Sequence, residues 1–141
     1  MPTGSKILII EDDHFISMLM KARLDKEGFQ VTQAFDGEEA LNILKKDRPS
    51  LIILDLIMPK ISGFEVMETI SKDPQFSKVP VIVLSNLGQE SDIQKVKALG
   101  AVLHLTKVKT TIDDIVKGVK SLVVPATMVG ADSPRGGAGR T

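Results

Sequence analysis

Leu51-Ile52-Ile53-Leu54-Asp55-Leu56-Ile57-Met58-Pro59 is the stretch on which the fold turns. Four apolar residues run into one aspartate. The run is too short for a helix and apolar at every position, so it reads as a strand buried on both faces. An aspartate closing such a strand sits at the carboxyl edge of a parallel sheet, where ligands bind in open α/β sheets. A bare carboxylate there is a candidate nucleophile or metal ligand, or equally a plain strand-ending or capping aspartate. Met58-Pro59 forms a turn, and Gly63 opens a helix.

Outward from this strand, the same grammar repeats. Lys6 to Ile10 is a second buried-type strand, ending in Glu11-Asp12-Asp13. Gln30 to Ala34 is a short strand with Val31 inward. Pro80 to Leu84 is continuously apolar and ends in Ser85-Asn86, and Ala101 to Leu105 is a weaker strand ending in Thr106-Lys107. Between them lie helical spacings. Ile16, Leu19, Met20 and Leu24 form one face, with Asp13 as N-cap and Gly28 as the stop. Ala40, Leu41 and Leu44 form a narrow stripe ended by Pro49. Phe64, Met67 and Ile70 mark a third helix, and Ile93, Val96 and Leu99 a fourth that stops at Gly100. Ile112, Ile115, Val116, Val119 and Leu122 give the cleanest amphipathic pattern, ended by Pro125. Strands alternating with helices imply parallel βαβ units and a doubly wound, three-layer α/β sandwich with a five-stranded parallel sheet. Residues 1–124 are expected to form one domain. Residues 125–141, rich in Gly, Ala, Ser, Pro, Thr and Arg, are expected to be a flexible tail or linker remnant.

Composition narrows the function. The 141 residues are 43% apolar and 26% charged, as in a soluble globular protein. Eighteen basic and eighteen acidic residues cancel, which gives no support for a nucleic-acid face or an anionic-membrane anchor. With no cysteine there is no disulfide, zinc-thiolate site or cysteine nucleophile. Ile7 to Ile10 is too short for a signal sequence or a membrane span, so the expected place is the cytoplasm.

The strand ends carry the chemistry. The first contributes Glu11 and Asp12, the third Asp55, the fourth Ser85 and the fifth Lys107. In a parallel sheet all of them converge on one edge. Two carboxylates ~5 Å apart at an effective dielectric of ~20 repel by roughly 3 kcal/mol. The set therefore calls for a cation beyond Lys107. An oxygen-only donor set with no cysteine suits Mg²⁺ and disfavours zinc. A carboxylate beside Mg²⁺ and an ammonium is a site for taking a phosphoryl group. In that chemistry Asp55 accepts, Glu11 and Asp12 hold metal, Lys107 pairs with phosphate and Ser85 hydrogen-bonds it.

Together, Ile-Ile-Glu-Asp-Asp, Asp-Leu-Ile-Met-Pro-Lys-Ile-Ser-Gly-Phe-Glu, Val-Ile-Val-Leu-Ser-Asn and Lys107 closely resemble the receiver domain of two-component response regulators, over about residues 5–124. The resemblance implies the flavodoxin- and receiver-like strand order 2-1-3-4-5. It implies phosphoryl transfer from a sensor histidine kinase or phosphotransfer protein to Asp55. Mg²⁺ would be held by Glu11, Asp12, Asp55 and the backbone carbonyl of Ile57. A two-state shift of the last helix and strands would then alter binding to a downstream protein target or output domain, with room for a phosphorylation-dependent dimer. No direct nucleic-acid contact and no membrane contact are expected of this domain. Such a module is not an enzyme beyond its own phosphorylation and dephosphorylation.

Three positions depart from the family pattern. The aromatic switch position is His104, read either as a switch or as a half-buried strand histidine. Val108 replaces the proline that usually follows the lysine, so a cis bond is disfavoured and the loop is expected to be looser or differently routed. Asn86 stands where a small residue is usual. Asp13 reads as an N-cap rather than a ligand, and His14 as a surface residue. Met18, Met20, Met58 and Met67 read as core or loop filling, and Lys117 and Lys120 as solvent-face charges. Ile57 and Leu87 flank the expected phosphate and could shield it from water. Two other classes compete. A haloacid-dehalogenase-type phosphatase wants Asp-x-Asp, which Asp55-Leu56-Ile57 lacks. A pseudo-receiver that binds partners without phosphorylation usually loses an acid or the lysine, and both are present here.

Overall fold

A computed structural model describes residues 4–76, 78–86 and 90–123. The expected tail at 125–141, Pro125 and the expected shielding residue Leu87 lie outside the described residues. The chain alternates β1 (Lys6–Ile10), α1 (His14–Lys26), β2 (Gln30–Ala34), α2 (Gly37–Leu44), β3 (Leu51–Leu54), α3 (Gly63–Lys72), β4 (Val81–Ser85), α4 (Glu90–Ala98), β5 (Leu103–Thr106) and α5 (Ile112–Leu122). Short 3-10 turns occupy Pro74–Phe76 and Lys107–Lys109.

The five strands form one parallel sheet in the order β2-β1-β3-β4-β5. β1, β3 and β4 are buried along nearly their whole length, which is why they read as unbroken apolar runs. Alternate side chains feed two cores. Ile7, Ile9, Leu51, Ile53, Ile82 and Leu84 face α1 and α5, meeting Met20, Leu24, Ile115, Val116 and Val119. Leu8, Ile10, Ile52, Leu54, Val81 and Val83 face the other helices, meeting Ala40, Leu44, Val66, Met67, Ile70 and Val96.

Helix ends follow local chemistry. Asp13 caps α1, its carboxylate accepting from the amides of Phe15 and Ile16. Ser62 with Glu65, and Thr111 with Asp114, form reciprocal capping boxes on α3 and α5. Gly28 and Gly100 stop α1 and α4 at φ of 98° and 108°, conformations open mainly to glycine.

Three expectations about individual residues need correction, and a fourth holds with an addition. The inward face of α1 is Ser17, Met20 and Leu24, while Leu19 is 43% exposed. Ser17 is tolerated inside because its hydroxyl accepts from the Gln33 side-chain amide at 2.8 Å. Met18 is not filling; it lies on the outer side of α1 at 55% exposure. Pro49 does not stop α2, which ends at Leu44 through a turn in which the Lys46 amide donates to the Ile43 carbonyl. Lys120 is exposed but paired: it meets Glu27 at 2.6 Å, while Arg23 meets Asp113 at 2.8 Å, so charges close the seam between α1 and α5.

Candidate functional site

The site grows out of the ladder at the carboxyl edge. The Glu11 amide donates to the Ala34 carbonyl at 3.0 Å, and the Asp55 amide to the Ile10 carbonyl at 2.9 Å. Each bond extends a strand pair by one residue, so Glu11 and Asp55 leave neighbouring strands side by side. Glu11, Asp12 and Asp55 each bring a carboxylate oxygen within 4.8 Å of the others. Glu11 and Asp55 are buried, and Asp12 is exposed at the rim.

Lys107 enters from the end of β5. Its ammonium lies 2.8 Å from Glu11 Oε1 and 3.1 Å from Asp55 Oδ2, with its side chain 18% exposed. Glu11 Oε1 meets this charge without a well-directed hydrogen bond, whereas Oε2 accepts from the Asp13 amide at 3.0 Å. Burial pushes the Glu11 carboxyl up to about 7. The Lys107 ammonium and the Asp13 amide act against that rise, and the Asp55 carboxylate adds to it. For Lys107, burial alone would lower the pKa. The contacts with Glu11 and Asp55 outweigh it, and the net direction is up.

The β3–α3 loop fixes the remaining side of Asp55. Its Oδ1 accepts from the Ile57 amide at 3.2 Å. This amide contact leaves the Ile57 carbonyl, the expected further metal ligand, on the same loop beside the acids. The Gly63 amide donates to the Leu56 carbonyl at 3.0 Å, folding α3 back against the strand end. A Cβ on Gly63 would stand 2.5 Å from Leu56 Cα and would also strike the Asp55 carbonyl oxygen. Glycine is therefore required by close approach, which the Met58-Pro59…Gly63 spacing hinted at only as a helix start. Lys60 adopts a left-handed φ of 67° in this loop, and its ammonium lies near Asp36 and Glu38.

Ser85 is fully buried at the end of β4, beside Thr106 of β5. Since Leu54 pairs with Val83, Ser85 lies two residues past that rung and Asp55 one residue past it. Asn86 follows, and its side-chain oxygen accepts from the Val108 amide at 3.1 Å. The sequence singled out both positions as departures but not their pairing. All peptide bonds described are trans, so Lys107–Lys109 is routed as a 3-10 turn rather than through a cis bond. Asp13 is an N-cap, as expected. His14 is exposed and stacks on Phe35 with ring centroids 4.0 Å apart. His104 is half-buried beside Val83, with Nε2 sheltered and unpartnered among the described residues.

Three acids against one lysine leave the hollow with two uncompensated negative charges when all are ionised. Oxygen donors alone, one carboxylate raised by burial and one oxygen without a directed donor fit a hard divalent cation. No helix among the described residues is long and apolar enough to cross a membrane.

Comparison with known proteins agrees with this arrangement. Residues 7–120 match the family described as the response regulator receiver domain. The chain is 36% identical over 117 residues to sporulation initiation phosphotransferase F of Bacillus subtilis, covering 83% of this chain and 92% of that one. It is 41% identical over 102 residues to the probable transcriptional regulator ycf27 of Porphyridium aerugineum, covering 72% of this chain and 41% of the relative. The chain thus spans about two fifths of that relative's length. Among solved structures, the chemotaxis response regulator CheY4 of Vibrio cholerae superposes with a TM-score of 0.79 at 29% identity, over 86% of this chain and all of that one. The sheet order 2-1-3-4-5 is that of this fold.

Proposed function

The chain belongs to the response regulator receiver family, a signalling module of two-component phosphorelay systems, and from that premise we propose that it receives a phosphoryl group on Asp55. The observation that carries this reading is a buried carboxylate at the strand edge, gripped by an ammonium at 3.1 Å inside a cluster of acids. In the step, an Asp55 oxygen attacks phosphorus of a phosphohistidine on a kinase or phosphotransfer partner. The P–N bond breaks, its electrons stay on the imidazole, which takes a proton, and an acyl phosphate forms. Later attack by water on phosphorus would release inorganic phosphate and restore the carboxylate.

Glu11, Asp12, Asp55 and the Ile57 carbonyl would hold Mg²⁺, which supplies charge neutralisation to the transferred oxygens when bound. The chain's own groups do the rest. The Ile57 amide and Lys107 orient the Asp55 carboxylate. Lys107 keeps a positive charge where negative charge accumulates. Ser85, buried on the neighbouring strand, offers a hydroxyl to one phosphoryl oxygen. Residues 1–124 would act as the receiver unit in the cytoplasm, and the modified state would shift α4, β5 and α5 to change affinity for a protein target or an output domain.

The test is incubation with a small phosphodonor and Mg²⁺, read by intact mass. Wild type should gain one phosphoryl group and Asp55→Asn none. An adduct that survives the substitution would refute Asp55 as the acceptor.

A further inference from the structure

Lys107 stands on a three-residue turn whose preceding residue, Thr106, offers no side-chain cap. Such turns leave their first amides without partners inside the turn. The Thr110 amide closes back on the Lys107 carbonyl at 3.3 Å, and the Thr110 hydroxyl on the Thr106 carbonyl at 2.6 Å. The Val108 amide is served from elsewhere: Asn86 Oδ1, 22 positions away in the chain, accepts it at 3.1 Å. Asn86 directly follows Ser85, and Val108 directly follows Lys107. One hydrogen bond therefore joins the backbone bearing the buried hydroxyl to the backbone bearing the ammonium. A proline at 108 would have no N–H to give, and an alanine or glycine at 86 no side-chain oxygen to receive it. Each departure supplies half of one bond.

We propose that Asn86 is a positioning residue: by holding the Val108 amide it sets where Lys107 stands between Glu11 and Asp55. The inference rests on the phosphoryl-acceptor reading of that site, and it concerns the lysine-bearing loop rather than the acceptor itself. A reaction that depends on placement loses rate when a charged group is free to wander, by up to ~100-fold for a displacement of about 1 Å.

The experiment compares wild type with Asn86→Ala, Val108→Pro, the double variant, and Asn42→Ala on the exposed side of α2 as a control. Adduct formation from a small phosphodonor at saturating Mg²⁺ is timed by intact mass, and the Lys107 Cε resonance is followed by NMR without donor. We expect each single variant to slow the reaction about five- to tenfold, the double to be no slower than either single, and the Lys107 resonance to move in all three but not in the control. An Asn86→Ala rate within twofold of wild type, or a double variant whose loss is the product of the singles, would overturn the proposal. So would an unmoved Lys107 resonance. If wild type forms no adduct at all, the acceptor reading fails, and the resonance alone still decides whether Asn86 positions the lysine.

Discussion

Replacing Gly63 by alanine tests whether the loop behind Asp55 is built by close approach. The new Cβ would stand 2.5 Å from Leu56 Cα, where ordinary contact begins near 3.4 Å. Its other neighbour is the Asp55 carbonyl oxygen, and both obstacles are backbone, so no rotamer change relieves them. Strand end and helix must separate by about 1 Å. That loosens the bond from the Gly63 amide to the Leu56 carbonyl and the packing of Leu56 and Val66, both essentially inaccessible to solvent. Weakening one buried hydrogen bond costs about 1 kcal/mol, and forced repacking about 1–3 kcal/mol. Alanine's better helix propensity returns about 1 kcal/mol. The net is a loss of roughly 1–3 kcal/mol, or a fall in Tm of about 4–12 °C for a domain of this size. Gly118→Ala is the control. There the Cβ meets only side-chain methyls of Leu103 at 3.1 Å and Ile82 at 3.6 Å, which can yield, so the helix gain leaves stability close to wild type. Urea and thermal unfolding by circular dichroism measure both. If Gly63→Ala is no less stable than Gly118→Ala, the close-approach argument is wrong.

Other outcomes follow from the same geometry. Because burial holds the Glu11 carboxyl up at about 7 against an ordinary 4.5, the metal-free folded state keeps a proton that the unfolded chain has released. Its stabilising contribution is fully present below pH 4.5 and lost as pH rises through about 7, by on the order of a few kcal/mol. Glu11→Gln should therefore unfold at a higher temperature than wild type at pH 8 with chelator present, and at the same temperature near pH 4.5; a lower midpoint at pH 8 would contradict the burial argument. Mg²⁺ needs the ionised form, so its affinity for wild type should weaken about tenfold from pH 8 to pH 6 by calorimetric titration. Lys60→Gly should raise stability by about 0.5 kcal/mol in urea melts, because it relieves the left-handed φ of 67° while giving up only exposed ion pairs. A loss would show those pairs to matter more than the strain.

The buried strands were legible because a strand covered on both faces has no polar face to maintain, so Leu51–Leu54 and Pro80 to Leu84 read as continuous apolar runs. Helix faces were less so. A period of 3.6 accepts Ile16, Leu19, Met20 and Leu24 as one stripe, yet the rotation of α1 is set by what the sheet offers, and Gln33 offers a partner for Ser17. The strand-end residues Glu11, Asp12, Asp55 and Lys107 were recognisable once a parallel sheet was assumed, since topology alone brings strand ends together. Ser62-Gly63-Phe64-Glu65 and Thr111-Ile112-Asp113-Asp114 carry capping boxes in plain spacing, Ser or Thr followed three residues later by an acid, that mark the starts of α3 and α5. The Asn86–Val108 bond was not legible, because it joins a side chain to a backbone amide across two loops, and neither partner reveals the other in one dimension.

The central claim is that the carboxylate of Asp55 is the group that carries phosphorus. Borohydride reduces an acyl phosphate of aspartate to homoserine, so treatment of the phosphodonor-exposed protein followed by peptide mapping names the acceptor directly. Conversion at Asp55 alone, dependent on Mg²⁺, is the predicted result. Conversion at Glu11, Asp12 or any other carboxylate while Asp55 stays intact would contradict it.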